Sequence, residues 1–394
     1  RVFKYIDLIT MRTFKSFSDK VGFPVYCAGF SLAGEVIVGG GGGVERTGIK
    51  NKLVLYKVNE KILEKSPGSL EKDEKILEKL CEIELEEGDD SPQCIAFHSE
   101  ENIISCGINS SEKKIKAGEN QNCRVFRYSD KKIELINVIQ TVNANINEDY
   151  YQKTTAFSHN GKLLATGGTD SKFTILKYPS LEVAFPPVNF DKQEIYDVNF
   201  NSTGDQVAAA SDKILRILST KNGECIQSIE RPTFQKSTQC KFRACRFGKG
   251  SSEGYLFTVV NSTSKFKSFI VKWDVKTWNR VLTKSVSRKP ITAFAVSDDG
   301  NLLAFGSSDQ SVSICDARTF RIRLTVPRVH ELPVTTLGFN HDSTLVISGS
   351  ADNSVHIMQL PEKFDSDISN KTWLFVIIIA ILFAFLYQMY SLGE

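Results

Sequence analysis

The sequence is short of the features that most site chemistry needs. Its nine cysteines include no Cys-x-x-Cys pair, and Cys240 and Cys245, the closest two, have no histidine nearby at zinc-ligand spacing. This argues against a zinc or dithiol site and for buried reduced thiols, as in a cytosolic domain. Charge of one sign is also lacking: 49 Lys and Arg balance 46 Asp and Glu for a net +3, interspersed along most of the chain. That gives no electrostatic basis for binding nucleic acid. No metal-ligand cluster and no paired-carboxylate motif stands out. His98 beside Ser99 and His159 beside Ser158 are sequence neighbours in turns. A catalytic triad needs partners that converge in space with a third group, so turn capping is the expected role. The chain is therefore expected to perform no covalent chemistry and to take no small-molecule substrate. The first residues, RVFKYIDLITMRTF, lack both an apolar core and a small-residue cleavage site, which excludes a signal peptide. An initial Met is missing too, and Met11 is the expected natural start.

One long hydrophobic run is present. Trp373 to Tyr390 reads WLFVIIIAILFAFLYQMY, apolar on every side apart from Gln388 and tyrosine hydroxyls. At about 1.5 Å per residue such a helix spans roughly 27 Å, close to the core of an endoplasmic reticulum bilayer. Trp373, Tyr387 and Tyr390 fall where an aromatic belt belongs. Lys363 and Lys371 precede the span, so the positive-inside rule places the preceding domain in the cytosol. The expected anchor is a single transmembrane helix over 372–390, with a tether over 361–371 and a short lumenal tail over 391–394.

The rest of the chain repeats. Seven stretches follow one scheme: an apolar strand, a turn, a second strand ending in small residues, another turn and a third strand. TTAFSHNGKLLATGGTDSKFTILKYP and TTLGFNHDSTLVISGSADNSVHIMQL are two of them. The alternation has the period of half-buried strands. Asp170, Asp212, Asp309 and Asp352 fall in the turn after the second strand. The pattern resembles the WD-repeat family, in which that aspartate braces the turn. The Trp-Asp dipeptide itself survives only as Trp273-Asp274, and VHELPVTTLGF makes His330 and Asp352 structural partners. Seven units of roughly forty residues imply an all-β, seven-bladed propeller over 11–360. The seventh unit runs out of chain after three strands, so the segment MRTFKSF is expected to supply its fourth and close the ring. Residues 60–79, charged and containing KILEK twice, are expected as a surface insertion in the first unit, followed by the strand CEIELEE.

GGGGGVERTGIKNK, residues 39–52, sits between the second and third strands of the first unit. A glycine run can cradle phosphate. A P-loop, however, needs Lys and then Ser or Thr after its last glycine, and here Ile49 follows Gly48. The next segment, KLVLYKV, alternates like a strand and cannot offer a helix N-terminus to phosphate. A nucleotide site is excluded. A long loop on a blade face is instead a natural binding element, and its many carbonyls could ring a weakly hydrated cation.

VGFPVYCAGF, then the glycines, TGI, one residue and NK, resembles the endoplasmic reticulum exchange factors for the Sar-type small GTPase of COPII coats. The resemblance implies a potassium-binding loop of backbone groups over Gly39, Gly40, Gly41, Gly42, Gly43, Val44, Glu45, Arg46, Thr47 and Gly48. It implies GTPase contact and exchange through Ile49, an apolar wedge, and Asn51, a polar contact. Lys50 departs from the proline common in that family, and is expected to loosen the loop or to meet an acidic group on the GTPase. The implied function is promotion of GDP release at the endoplasmic reticulum membrane, the start of COPII vesicle formation. The alternative is a membrane-anchored WD-repeat adaptor for cargo exit that does not catalyse exchange, a reading favoured by Lys50.

Overall fold

The computed structural model describes residues 14–361 and 364, apart from 45–47, 67–68, 70, 72–73, 145–149, 235–237 and 265–266. Seven antiparallel sheets follow one another along the chain, six of them built from consecutive strands. The fold is an all-β, seven-bladed propeller. Blade 1 is typical: Val25–Phe30, Val36–Gly40, Lys52–Val58 and Leu77–Glu84 pair in that order. Their burial explains their positions. Val36, Ile37, Val38, Leu53, Val54 and Leu55 are at most 1 % exposed, because both faces of the two middle strands meet a neighbouring blade.

Blade 7 closes the ring. Its strands Val334–Phe339, Leu345–Ser350 and Ser354–Gln359 are completed by Lys15–Lys20, paired in unbroken register from Lys15 opposite Gln359 to Lys20 opposite Ser354. Closure therefore comes from the N-terminal side, as expected, although the strand begins within the anticipated segment and runs past it. Phe17, 2 % exposed, packs into the apolar core shared by blades 7 and 1, with Val25, Val36, Ile347 and Ile357. Burying a phenylalanine contributes about 2–3 kcal/mol, so this strand is bonded and packed as firmly as any inside a blade.

The expected surface insertion is partly corrected. A short helix, Glu60–Glu64, capped by Asn59, buries Ile62 in the same closing core. Ile76 and Leu77 join it there, and the strand Leu77–Glu84 begins inside the span assigned to the insertion. Lys15 Nζ donates to the Leu63 and Glu64 carbonyls at 2.6 and 3.0 Å, placing a cation on the helix C-terminus. Charge content alone hid the two isoleucines that pin this segment down.

Residues 361–394 form a separate unit, of which only Pro361 and Phe364 are described. The expected transmembrane helix, the lumenal tail and most of the tether lie outside the described residues. Among the described residues no helix is long and apolar enough to cross a membrane.

Candidate functional site

The glycine run divides into two parts with different physical reasons. Gly39 and Gly40 are not loop residues: they end the strand Val36–Gly40 and are buried. A Cβ on Gly39 would meet Cys27 Sγ at 2.7 Å, and one on Gly40 would fall 1.9 Å from the Pro24 carbonyl oxygen. Gly39 is glycine because the side chains of Cys27, Leu53 and Pro92 close on it, and Gly40 because the Pro24 backbone passes too close. The loop proper is 41–51. Gly41 adopts φ +146° and Gly43 φ +74°, conformations that favour glycine. Val44, Gly48 and Ile49 are exposed. Glu45, Arg46 and Thr47 lie outside the described residues.

Asn51 fixes the base of this loop. Its Oδ1 accepts from Gly43 N–H at 2.9 Å, and its Nδ2 donates to the Gly43 carbonyl at 2.8 Å and to the Asp89 carbonyl at 2.7 Å. One primary amide thus reads both main-chain groups of Gly43 and ties them to blade 2. Gly42 N–H donates to the Ile49 carbonyl at 3.3 Å, joining the two limbs again. The side chain expected to face a partner is turned inward and acts as a brace. Ile49, its side chain toward solvent at 39 % exposure, is where an apolar wedge was expected. Lys50 finds an acidic partner within its own chain, pairing with Glu84 on the next strand. That pair raises the Lys50 pKa, chiefly through the hydrogen bond to Glu84.

The groups behind Asn51 were not read from sequence. Asp89 is 1 % exposed and bonds Arg124 Nη1 at 2.5 Å, and its other oxygen accepts from Ser111 N–H at 3.1 Å. The brace therefore rests on a buried ion pair between blade 1 and blade 2. Asp90 differs from its neighbour. It accepts from Ser91 N–H at 2.7 Å, and among the described residues no cation pairs with it. Burial, followed by the Asp89 charge, holds its carboxyl above the usual range against those Ser91 bonds. A Cβ on Gly43 would stand 3.5 Å from Asp90 Oδ1. Asp90 is thus a half-buried carboxylate beside Gly43 with no cation partner among the described residues. Among the described residues no three His, Cys, Asp or Glu side chains gather into a metal cluster. The sequence signal was EGDDSP, two adjacent acids in a turn just after the fourth strand of blade 1.

Beside the loop lies a cleft of about 790 Å³, lined by Val44, Asp90, Asn109, Ile115, Tyr150 and Tyr151. It gives the loop face a concave, mixed apolar and polar wall, the kind of surface on which a protein segment docks. The two serine–histidine neighbours do not build a hydrolytic site. His98 Nδ1 accepts from Glu100 and Glu101 N–H at 3.1 and 3.0 Å, so its Nε2 carries the proton toward the Gly161 carbonyl at 3.2 Å. Ser158 Oγ lies 2.8 Å from Asn160 Oδ1, and it accepts from Leu163 N–H at 2.9 Å. Both brace turns.

The WD-type residues are structural as well. Trp273 Nε1 donates to Thr258 Oγ1 at 3.0 Å. His330 is 4 % exposed, with Nδ1 2.7 Å from Ser354 Oγ, Nε2 2.9 Å from Ser348 Oγ and Asp352 at 3.6 Å. The WD domain, G-beta repeat family matches residues 278–316 and 322–357. Guanine nucleotide-exchange factor SEC12 of Candida glabrata is 28 % identical over 94 % of this chain and 79 % of its own length. SEC12 of Mus musculus is 23 % identical over 78 % of this chain and 79 % of its own length. Across most of its length the chain is thus similar to SEC12-type exchange factors, and its C-terminal blades carry WD repeats. SEC12-like protein 1 of Arabidopsis thaliana is 31 % identical over 45 % of this chain, which spans 43 % of that protein. Chaetomium thermophilum Raptor overlays on 91 % of this chain, and on 30 % of its own, with a TM-score of 0.65 at 11 % identity. That likeness shows the propeller fold alone.

Proposed function

We propose that this chain promotes GDP release from a Sar-type small GTPase at the endoplasmic reticulum membrane, the step that starts COPII vesicle formation. The observation that carries the reading is the braced loop: Asn51 holds both main-chain groups of Gly43 while Ile49 projects outward beside a cleft. The likeness to guanine nucleotide-exchange factors SEC12 supports an exchange role.

Exchange asks for no covalent chemistry. A GTPase holding nucleotide at picomolar affinity is bound by about −16 kcal/mol. A factor that binds the nucleotide-free form offsets much of this, because linkage makes tight binding of one ligand weaken the other. A loop ordered before contact loses little entropy on contact. Ile49 is the apolar group positioned to enter the GTPase; Asn51 is a positioning residue that sets where Ile49 points. The Asp90 carboxylate, with main-chain carbonyls of 41–48, would hold potassium, which when bound would fix the loop's shape by charge. Residues 372–390 would anchor the propeller on the cytosolic side, where activation would be confined to one bilayer.

Lys50 favours the second reading, a non-exchanging adaptor for cargo exit. Its pairing with Glu84 weakens that argument, since the loop has its own restraint at the position where proline was expected. The deciding experiment is release of labelled GDP from a Sar-type GTPase, using the full chain in mild detergent. Strong acceleration in potassium buffer, reduced in tetramethylammonium buffer, is expected. A folded chain that binds the nucleotide-free GTPase without accelerating release would establish the adaptor.

A further inference from the structure

Six of the seven innermost strands slip register by one residue close to the central channel. The residues at the slips are Tyr26, Lys153, Tyr196, Arg243, Thr292 and Thr335. All six line one cavity of about 460 Å³ at the channel mouth. Bulges re-aim side chains, and here they build a ring. The ring lies on the glycine-loop face, because the start of the inner strand pairs with the end of the next: Val25 opposes Gly40.

Most of the ring is satisfied internally. Thr292 and Thr335 donate to the carbonyls of Val334 and Val25 at 2.6 and 2.7 Å. Lys153 bonds Glu194 at 2.7 Å and lies 4.3 Å from the centre of the Tyr196 ring. Arg246, behind the ring, pairs with Asp197, whose carboxylate also accepts from Cys245 N–H at 2.9 Å. Arg243 is different. Among the described residues its guanidinium makes no hydrogen bond and no ion pair; its nearest aromatic face is Tyr196, at 5.9 Å. Burial pushes its pKa down, against the opposing charge of Asp197, which is itself bonded to Arg246. Among the charged groups that line this cavity and their ion-pair partners, three cations, Lys153, Arg243 and Arg246, meet two carboxylates, Glu194 and Asp197, so the lining has one positive charge in excess, at Arg243. A half-buried guanidinium with no carboxylate bonded to it is costly to a fold, and such costs gather at binding sites.

We infer that Arg243 at the channel mouth receives one carboxylate, an acidic side chain of the protein that docks on the glycine-loop face. A single charge of +1 is neutralised by a carboxylate and overshot by a dianionic phosphate. The planar guanidinium fork matches a carboxylate with two parallel hydrogen bonds. Identifying the docking protein as the GTPase rests on the exchange reading; the carboxylate site does not.

The test uses the full chain in mild detergent with Arg243→Gln and Arg243→Lys. If Arg243 serves a ligand, Arg243→Gln keeps or raises the thermal midpoint; a fall beyond about 4 °C makes Arg243 structural and overturns the proposal. A blocked Gly-Gly-Glu-Gly-Gly peptide at millimolar concentration should raise the midpoint of the wild type, should leave Arg243→Gln unmoved, and should act at half strength or less on Arg243→Lys. Equal protection by the glutamine peptide, stronger protection by inorganic phosphate, or full protection of Arg243→Gln overturns the site. In a partner assay, Arg243→Gln should weaken binding of nucleotide-free Sar-type GTPase about tenfold at low salt. Unchanged binding removes the GTPase as the source of the carboxylate and leaves exchange standing. A wild type that binds no GTPase defeats the exchange reading, and the peptide assay then decides the site alone.

Discussion

The connection between second and third strands is built in two ways in this molecule. In blade 7 it is the short turn 351–353. Asp352 accepts from Glu331 N–H at 2.6 Å and Ser354 N–H at 2.8 Å, Asn353 takes φ +67°, and His330 is buried beneath. Blades 3 and 6 repeat the device, with Ser171 and Gln310 at φ +69° after Asp170 and Asp309. In blade 1 the same connection is the loop 41–51, and an asparagine at its far end replaces the aspartate. The aspartate turn spends its polar groups on itself and closes. Among its described residues the asparagine loop is tied near its base, and Val44, Gly48 and Ile49 are exposed. One topological position is a closed structural turn when braced by a neighbour in the turn, and an exposed loop, open to recognition on the exchange reading, when braced from a distance.

The sharpest way to break this contrast is Asn51→Ala. The change removes three hydrogen bonds, together worth roughly 2–4 kcal/mol of loop order. If loop order supports exchange, GDP release should slow by roughly 100-fold, the rate equivalent of that energy. The propeller core is untouched, so the thermal midpoint should move by less than about 3 °C. Asn51→Asp should rescue nothing, because a carboxylate would face the Gly43 and Asp89 carbonyls. A midpoint that collapses with activity would make Asn51 an ordinary structural residue.

The propeller was largely legible because its signal is repeated. Alternation, turn residues and the Asp turns recur often enough to outvote divergence, and the ring's need for a closing strand follows from counting strands. The glycine loop was legible in place and in its exposed Ile49. Its inner wiring was not. Gly39 and Gly40 read as loop because a glycine in a strand looks the same as one in a turn until the side chains around Gly39 and the Pro24 backbone beside Gly40 are seen. Asn51 read as a contact because the Gly43 and Asp89 groups it satisfies are eight and 38 residues away. Arg243 and Asp90 were missed for the same reason. Being unpaired is a property of space, and no spacing in the chain encodes it.

His330→Ala breaks the other half of the comparison, with a smaller effect and a different readout. It opens a cavity and leaves Ser348 and Ser354 without their partner, which should cost about 2–4 kcal/mol and lower the midpoint by several degrees. GDP release at a temperature where the variant stays folded should be unchanged. The same histidine gives a pH signature. Burial, against the opposing Asp352 charge, holds its pKa down to about 4, below the usual 6.5. His356, whose ring lies 4.7 Å from it, is held down to about 3, again first by burial. A depressed folded-state pKa means that the unfolded chain takes up protons first as pH falls. The stability is therefore fully present above about pH 6.5 and is lost as pH drops toward 4. Denaturant midpoints measured from pH 7 to pH 5 should fall in the wild type and fall less steeply in His330→Asn. Equal slopes would show that the buried histidine does not govern this window.

The smallest effect belongs to Lys50, the residue that set the exchange and adaptor readings apart. The Lys50–Glu84 pair is exposed, 70 % and 44 % at the two side chains, and such pairs are screened by salt and contribute little. Glu84→Gln should change GDP release by less than about twofold, with the difference vanishing at high salt. Lys50→Pro is the more informative change. The described hydrogen bonds give the Lys50 N–H no acceptor and its φ is not positive, so proline there removes no described main-chain bond and forces no reversal of φ. Removing freedom from the unfolded loop should then favour the ordered form slightly, a gain in exchange of less than about threefold. A gain of tenfold or more would mean that the wild-type loop spends most of its time disordered despite Asn51. The long loop would then differ from the blade 7 turn in lacking a working brace, rather than in where the brace stands.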